Sequence, residues 1–172
     1  WMHGDRGLSD KYLMYEQSIR IPLIIMDTRV EFRCVSREEM ALNIDLSPTI
    51  LDLSGVEVPE LMNGRSLQPL LGRSKVDWRN EWFYEHLFEW GAPETFPKSE
   101  GIRTERWKYI RWIDQRPVYE QLFDLENDPG ELTDLADSFS HQTELRTLRE
   151  KWNRWRRALE NWSRETAWHD PA

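Results

Sequence analysis

Leu145, Leu148, Trp152, Trp155, Leu159 and Trp162 follow one another at steps of three and four residues. That spacing places them on one stripe of a long helix whose other face is Arg, Lys and Glu. A stripe with three indoles needs a broad apolar surface to lie on, because each indole buries on the order of 200 Å². Left in water, the same stripe would be an adhesive patch. The chain supplies a matching surface in "EWFYEHLFEW", "GIRTERWKYIRWI" and "YEQLFDLEND", which are aromatic, partly alternating and separated by Gly, Pro and Asp. This is the pattern of an antiparallel sheet. "NDPGEL" reads as a turn that leads into a short helix over "LTDLAD".

The first part of the chain has a different style. "WMHGDRGLSD" reads as a loop entering a helix, with Ser9 or Asp10 as N-cap, and "KYLMYEQ" as one or two helical turns. The run from Ile21 to Met26 is almost wholly apolar, which predicts a strand buried on both faces, as in a mainly parallel sheet, with Pro22 at an edge or a strand start. "VEFRCV" is a second candidate strand. Leu46, Ile50, Leu51 and Leu53 have helical spacing, with Gly55 as the stop, and predict a helix packed on that sheet. The residues that follow are turn-rich, with one short helix around Ser66 to Leu71.

The fold class expected is therefore α/β: the tail of a mainly parallel sheet over residues 1–75, followed by a small α+β layer over 76–172, an antiparallel sheet with a long C-terminal helix. A parallel sheet needs several strands joined by crossovers, and at most two are on offer. The sequence predicts that chain N-terminal to Trp1 completes this layer, and that its exposed sheet edge drives self-association.

Among the 172 residues the formal net charge is −8, which argues against a nucleic-acid partner. An anionic ligand would need a local cluster of cations. The single cysteine, Cys34, permits no disulfide within the chain and leaves the compartment open. No secretory apolar region and no run of membrane-spanning length occurs, so no membrane contact is expected.

One stretch goes further. "GDRGLSDKYLMYEQSIRIPLII" resembles the segment G-x-H-G-L-x-x-K followed by M-Y-E-x-S-I-R-V-P-L-I-I of the type I sulfatases, in the alkaline phosphatase superfamily. "IDLSPTILDLSGVEVPELMNGRSLQPLL", "GIRTERWKYIRW" and "LFDLENDPGELTDLAD" resemble later landmarks of that family in the same order, over roughly residues 1 to 160. The resemblance implies hydrolysis of sulfate esters by a formylglycine nucleophile beside a divalent cation, usually calcium. It also implies that Lys11, at the family's lysine position, points to the sulfate group. An ammonium on a flexible stem suits a tetrahedral anion.

The chain departs from the family pattern in places. Arg6 stands where the family has His, and His3 precedes the glycine where an apolar residue is commoner; each has two readings, an altered substrate contact or simple loop drift. Cys34, in "FRCVSRE", lacks the proline and arginine of the formylglycine motif C/S-x-P-x-R, and no serine fits it either. The family's metal aspartates are not represented, so calcium ligands are expected outside this chain and none within it.

Several other residues have two readings each. His86 and Trp90 could contact a sugar ring, and Arg103 an anionic glycan, because the resemblance places the C-terminal layer along the substrate cleft. The plain alternatives are a satisfied strand histidine and an arginine that, with Arg106, Lys108 and Arg111, forms salt bridges to Glu100 and Glu105.

Three functions are held against one another. The first is the C-terminal part of a sulfatase for a sulfated carbohydrate, inactive alone. The second is a non-catalytic remnant binding sulfated glycan or protein. The third is a phosphonate or phosphate ester hydrolase on the same scaffold. Family tendency points to a periplasmic or secreted location.

Overall fold

The computed structural model describes residues 2–11, 13–29, 35–87 and 97–166. Along the chain come β1 (Met2–His3), β2 (Ser9–Asp10), α1 (Glu16–Ile19), α2 (Leu46–Leu53), β3 (Glu81–His86), β4 (Ser99–Thr104), β5 (Trp107–Trp112), β6 (Tyr119–Asp124) and α3 (Gln142–Thr166). They fall into two compact units, one built from residues 1–21 and 81–172 and the other from Pro22–Asn80.

The first unit is organised by an antiparallel meander in the order β3-β4-β5-β6. The strands pair as Glu81↔Thr104, Ser99↔Trp112 and Trp107↔Asp124, so each residue's neighbours across the sheet share its face. One face carries Ile102, Tyr109 and Leu122, and on it lie Leu145 and Leu148 of α3, all at most 2% exposed. Phe83, Trp107, Trp152 and Trp155 extend this layer.

The indoles of α3 are anchored at both ends. While their rings cover the sheet, Trp152 Nε1 donates to Glu100 Oε2 at 2.9 Å and Trp155 Nε1 to Glu81 Oε1 at 3.0 Å. Cations of the helix close around these acids and around Glu120: Arg156 Nη1 reaches Glu100 Oε1 at 2.8 Å, Lys151 reaches Glu81, and Arg149 Nε reaches Glu120 Oε1 at 3.0 Å. The long helix and the aromatic sheet expected from the sequence are thus both present. The ion-pair partners differ from expectation, because Glu100 turns to the helix while Arg106 takes Asp124 and Arg111 takes Glu120.

The opposite face of the sheet carries Trp82, Tyr84, Ile110, Trp112 and Phe123 and is covered by the N-terminal segment, chiefly Met2, Met14 and Tyr15. Met14 lies directly over Gly101, where a β-carbon would collide with its sulfur and with the Tyr109 carbonyl oxygen. The glycine is the dent into which the segment fits.

Two local expectations fail here. Ser9 and Asp10 form a strand paired with Met2 and His3 rather than capping a helix, and helix forms only over Glu16–Ile19. "LTDLAD" is not helical either. Leu122 N–H donates to Asp134 Oδ1 at 3.0 Å and Leu135 N–H to the Leu122 carbonyl at 2.8 Å. The segment's polar groups are spent on the outer edge of β6, which shields that edge from other strands.

In the second unit α2 forms as expected and ends at Ser54–Gly55, where Gly55 adopts φ +72°. The unit is gathered by Asp45, which is fully buried. Its carboxylate accepts the Leu42 and Arg65 amides at 2.7 and 2.8 Å and is paired with Arg79. Trp78 Nε1 donates to the Met40 carbonyl at 2.7 Å. The helical turn expected near Ser66–Leu71 is a 3-10 turn over Gln68–Leu71.

Residues 21–27 form no strand, contrary to expectation, and Ile24 is 92% exposed. A strand exists through bonds to a neighbour, and among the described residues none pairs with this run. Leu46 and Ile50 of α2 are likewise exposed rather than packed on a sheet. The candidate strand "VEFRCV" lies mostly outside the described residues.

Two outcomes follow from the meander. Gly101→Ala forces Met14 off the sheet and should lower stability by about 1–3 kcal/mol in urea unfolding; an unchanged midpoint would refute the close fit. Arg106 grips the Asp124 carboxylate at 2.9 and 2.6 Å and holds that carboxyl down at about 2. A carboxyl depressed in the folded state stabilises fully above its unfolded value, about pH 4, and loses that contribution as pH falls toward 2. Asp124→Asn should therefore flatten the acid limb of the stability profile between pH 4 and pH 2, measured by denaturant titration.

Candidate functional site

The segment with the candidate cations is a tight hairpin set against the sheet. Gly4, at φ +98°, and Gly7, at φ +69°, let the chain reverse between β1 and β2, with Gly4 N–H donating to the Leu8 carbonyl at 2.9 Å. Met2 opposes Asp10 and His3 opposes Ser9. Because Met2 is 1% exposed and Met14 fully buried, the hairpin is pinned on both sides of the exposed Lys11. His3 is exposed too.

Arg6 sits at the tip with φ +57°. Its guanidinium lies 4.1 Å from the centre of the Tyr15 ring. It donates to the Gly130 carbonyl at 2.8 Å and to the Glu131 carbonyl. Tyr15 is fixed in turn, its hydroxyl donating to Gln121 Oε1 at 3.0 Å.

Beneath the hairpin lies a buried ionic junction. Lys108 on β5 is wholly buried, with its Nζ 2.7 Å from Glu16 Oε1 and 2.6 Å from Glu131 Oε1. Glu131 is also wholly buried, and its Oε2 accepts the Glu16 backbone N–H at 2.7 Å. Arg103 Nε stands 3.5 Å from Glu16 Oε1. Burial alone would raise the Glu16 carboxyl, but the charges of Lys108 and Arg103 outweigh it and bring it below its ordinary value.

His86 and Arg103 lie on this same face of the sheet. His86 opposes Ser99 and Arg103 opposes Trp82, four positions apart on β3, or roughly 13 Å along the strand. Burial pushes the His86 imidazole below its ordinary value, which favours the neutral ring. Trp90 lies outside the described residues.

The structure thus brings His3, Arg6 and Lys11 onto one hairpin and sets that hairpin against the face that holds Arg103 and His86. Glu16 and Glu131 emerge only from the fold, although "MYE" and "NDPGEL" both fall in the stretches that carry the family resemblance. Chemically, an exposed ammonium on a pinned hairpin can bind an anion. Among the described residues no group of three or more His, Cys, Asp or Glu could hold a metal ion.

Comparison with known proteins places the chain in a family. Residues 4–158 match the family described as N-sulphoglucosamine sulphohydrolase, C-terminal. The chain belongs to that family and is a sulfatase C-terminal domain. It is similar to the N-acetylglucosamine-6-O-sulfatase of Bacteroides thetaiotaomicron, at 34% identity over 154 residues, covering 86% of this chain and 27% of that protein. It is also similar to arylsulfatase K of Bos taurus, at 32% identity over 151 residues, covering 82% of this chain and 27% of that protein. A solved structure described as a complex with its substrate D-glucosamine-2-N,6-O-disulfate superposes on 98% of this chain and 34% of its own, with a TM-score of 0.75 and 26% identity. The chain spans about a quarter of the length of the curated relatives it matches.

Proposed function

We propose that this chain is the C-terminal part of an enzyme that hydrolyses sulfate esters of a carbohydrate, and that Lys11 supplies the positive charge that meets the sulfate. The reading is supported above all by one observation: the family match, which begins at residue 4, takes in the tip of the hairpin and Lys11, and there the fold leaves Lys11 exposed between two buried anchors. Hydrolysis breaks the bond between sulfur and the carbohydrate oxygen, and negative charge gathers on the sulfate oxygens and the leaving oxygen. An ammonium carried on a pinned hairpin stabilises such charge.

In this reading His3, Arg6, His86, Trp90 and Arg103 are the candidates for contact with the rest of the substrate. Polypeptide outside these residues would supply the nucleophile and the ligands that hold calcium. The chain alone is then inactive, because one lysine replaces neither. The exposed Leu23, Ile24, Met26 and Ile50 are covered by the remainder of the enzyme.

In the whole polypeptide that carries this chain, Lys11→Ala should lower kcat/KM on a sulfated glucosamine about 100-fold or more, while the isolated 172-residue chain should release no sulfate from an aryl sulfate, with or without calcium. Turnover by the isolated chain that survives repurification and vanishes in Lys11→Ala would overturn the reading of the chain as a part inactive alone, and an unchanged kcat/KM in the Lys11→Ala polypeptide would overturn the role of Lys11. Preferential cleavage of a phosphonate ester would move the enzyme to a different ester. For the apolar surface, sedimentation of the isolated chain should show self-association, and a monomer over a wide concentration range would count against it.

A further inference from the structure

Buried ion clusters are poor stabilisers, because removing charges from water offsets most of their attraction. A buried ammonium between two carboxylates therefore invites the question of what else it does. The position of this one suggests an answer. Lys108 belongs to the sheet, Glu16 opens the helical turn that follows the hairpin, and Glu131 belongs to the turn beyond β6. One ammonium ties together three parts of the chain that are distant in sequence.

The backbone supports the same point. Among the described residues two non-glycine residues have positive φ, Arg6 at +57° and Glu131 at +54°. Left-handed backbone at such residues is costly and persists only where the surroundings over-determine it. Here the two hold each other, since the Arg6 guanidinium donates to the Glu131 carbonyl. The Glu131 side chain in turn takes the Glu16 amide and the Lys108 ammonium. The strained tip of the hairpin and the strained turn are joined by one continuous path of polar contacts.

We propose that Lys108, Glu16, Glu131 and Arg6 are positioning residues that set where the hairpin presents Lys11. Lys108, Glu16 and Glu131 act through the hairpin and touch no substrate, whereas Arg6 holds its tip and is also a candidate for contact with the substrate. Glu16 holds the outgoing end, five residues after Lys11, while Arg6 holds the tip, five residues before it. Met2 and Met14 supply apolar anchorage, but side chains that slide against one another do not fix a cation to a fraction of an ångström. Buried opposite charges 2.6 and 2.7 Å apart hold their partners more closely than that.

The proposal rests on the assignment of Lys11 to the sulfate, and its test separates the two. In the whole polypeptide that carries this chain, Lys11→Ala is measured in the natural background and in the triple variant Lys108→Met/Glu16→Gln/Glu131→Gln, which removes the three junction charges together and leaves only the partly exposed Arg103 without its Glu16 contact. Glu16→Gln alone is the second background should the triple variant misfold. If the junction positions Lys11, the loss of kcat/KM on a sulfated glucosamine caused by Lys11→Ala should shrink from about 100-fold to under about 10-fold, the signature of coupled sites. A merely structural junction leaves that loss the same in both backgrounds and overturns the proposal.

Hydrogen exchange gives an independent readout. Amides of residues 2–11 should exchange at least 10-fold faster in the variant while those of α3 do not change. Equal protection of the hairpin in both proteins also overturns the proposal. If the natural polypeptide hydrolyses no sulfate ester, the assignment of Lys11 fails, and the exchange result alone then decides whether the junction fixes the hairpin.

Discussion

The face of the sheet that carries the candidate site depends on a single buried ammonium. Lys108 has no water to turn to and is met by two carboxylates, each within 2.7 Å. Remove one of them and the other must neutralise a charge in a dry interior by itself. The hairpin, the first helical turn and the turn beyond β6 therefore occupy their places together. Arg103 adds a second cation at 3.5 Å from Glu16, which keeps the cluster near neutrality.

The two faces of the meander solve the same problem by different means. On the helical face, apolar area does most of the work, and the polar atoms of Trp152 and Trp155 escape burial unpaired by reaching carboxylates at the margin. On the other face there is no long element to lay down. A short, irregular segment covers the sheet instead, and it is held by Met14 in the dent at Gly101 and by ions. Irregular backbone cannot satisfy itself, which is why this side is rich in side-chain bonds to the main chain.

The helix stripe and the aromatic strands were legible in the sequence because both are periodic, and periodicity survives without knowledge of partners. The resemblance singled out Lys11 by its place in a motif. What stayed hidden was relational. Glu16 and Glu131 are 115 positions apart and nothing in the spacing joins them. The run from Ile21 to Met26 shows the opposite failure: its composition is that of a buried strand, but a strand is a property of two segments and no partner stands among the described residues. "LTDLAD" looked helical because local propensity favours helix there, and the unmet groups along β6 outbid it.

The segment that follows β6 has one more consequence. By giving its Asp134 carboxylate and Leu135 amide to Leu122, it closes one margin of the meander. At the other margin, β3 has a partner on one side only among the described residues, namely β4. The sheet therefore has a direction of growth. Among the described residues the margin beside Glu81–His86 is the one left for a further strand, and a strand placed there runs past the end of the sheet where His86 lies.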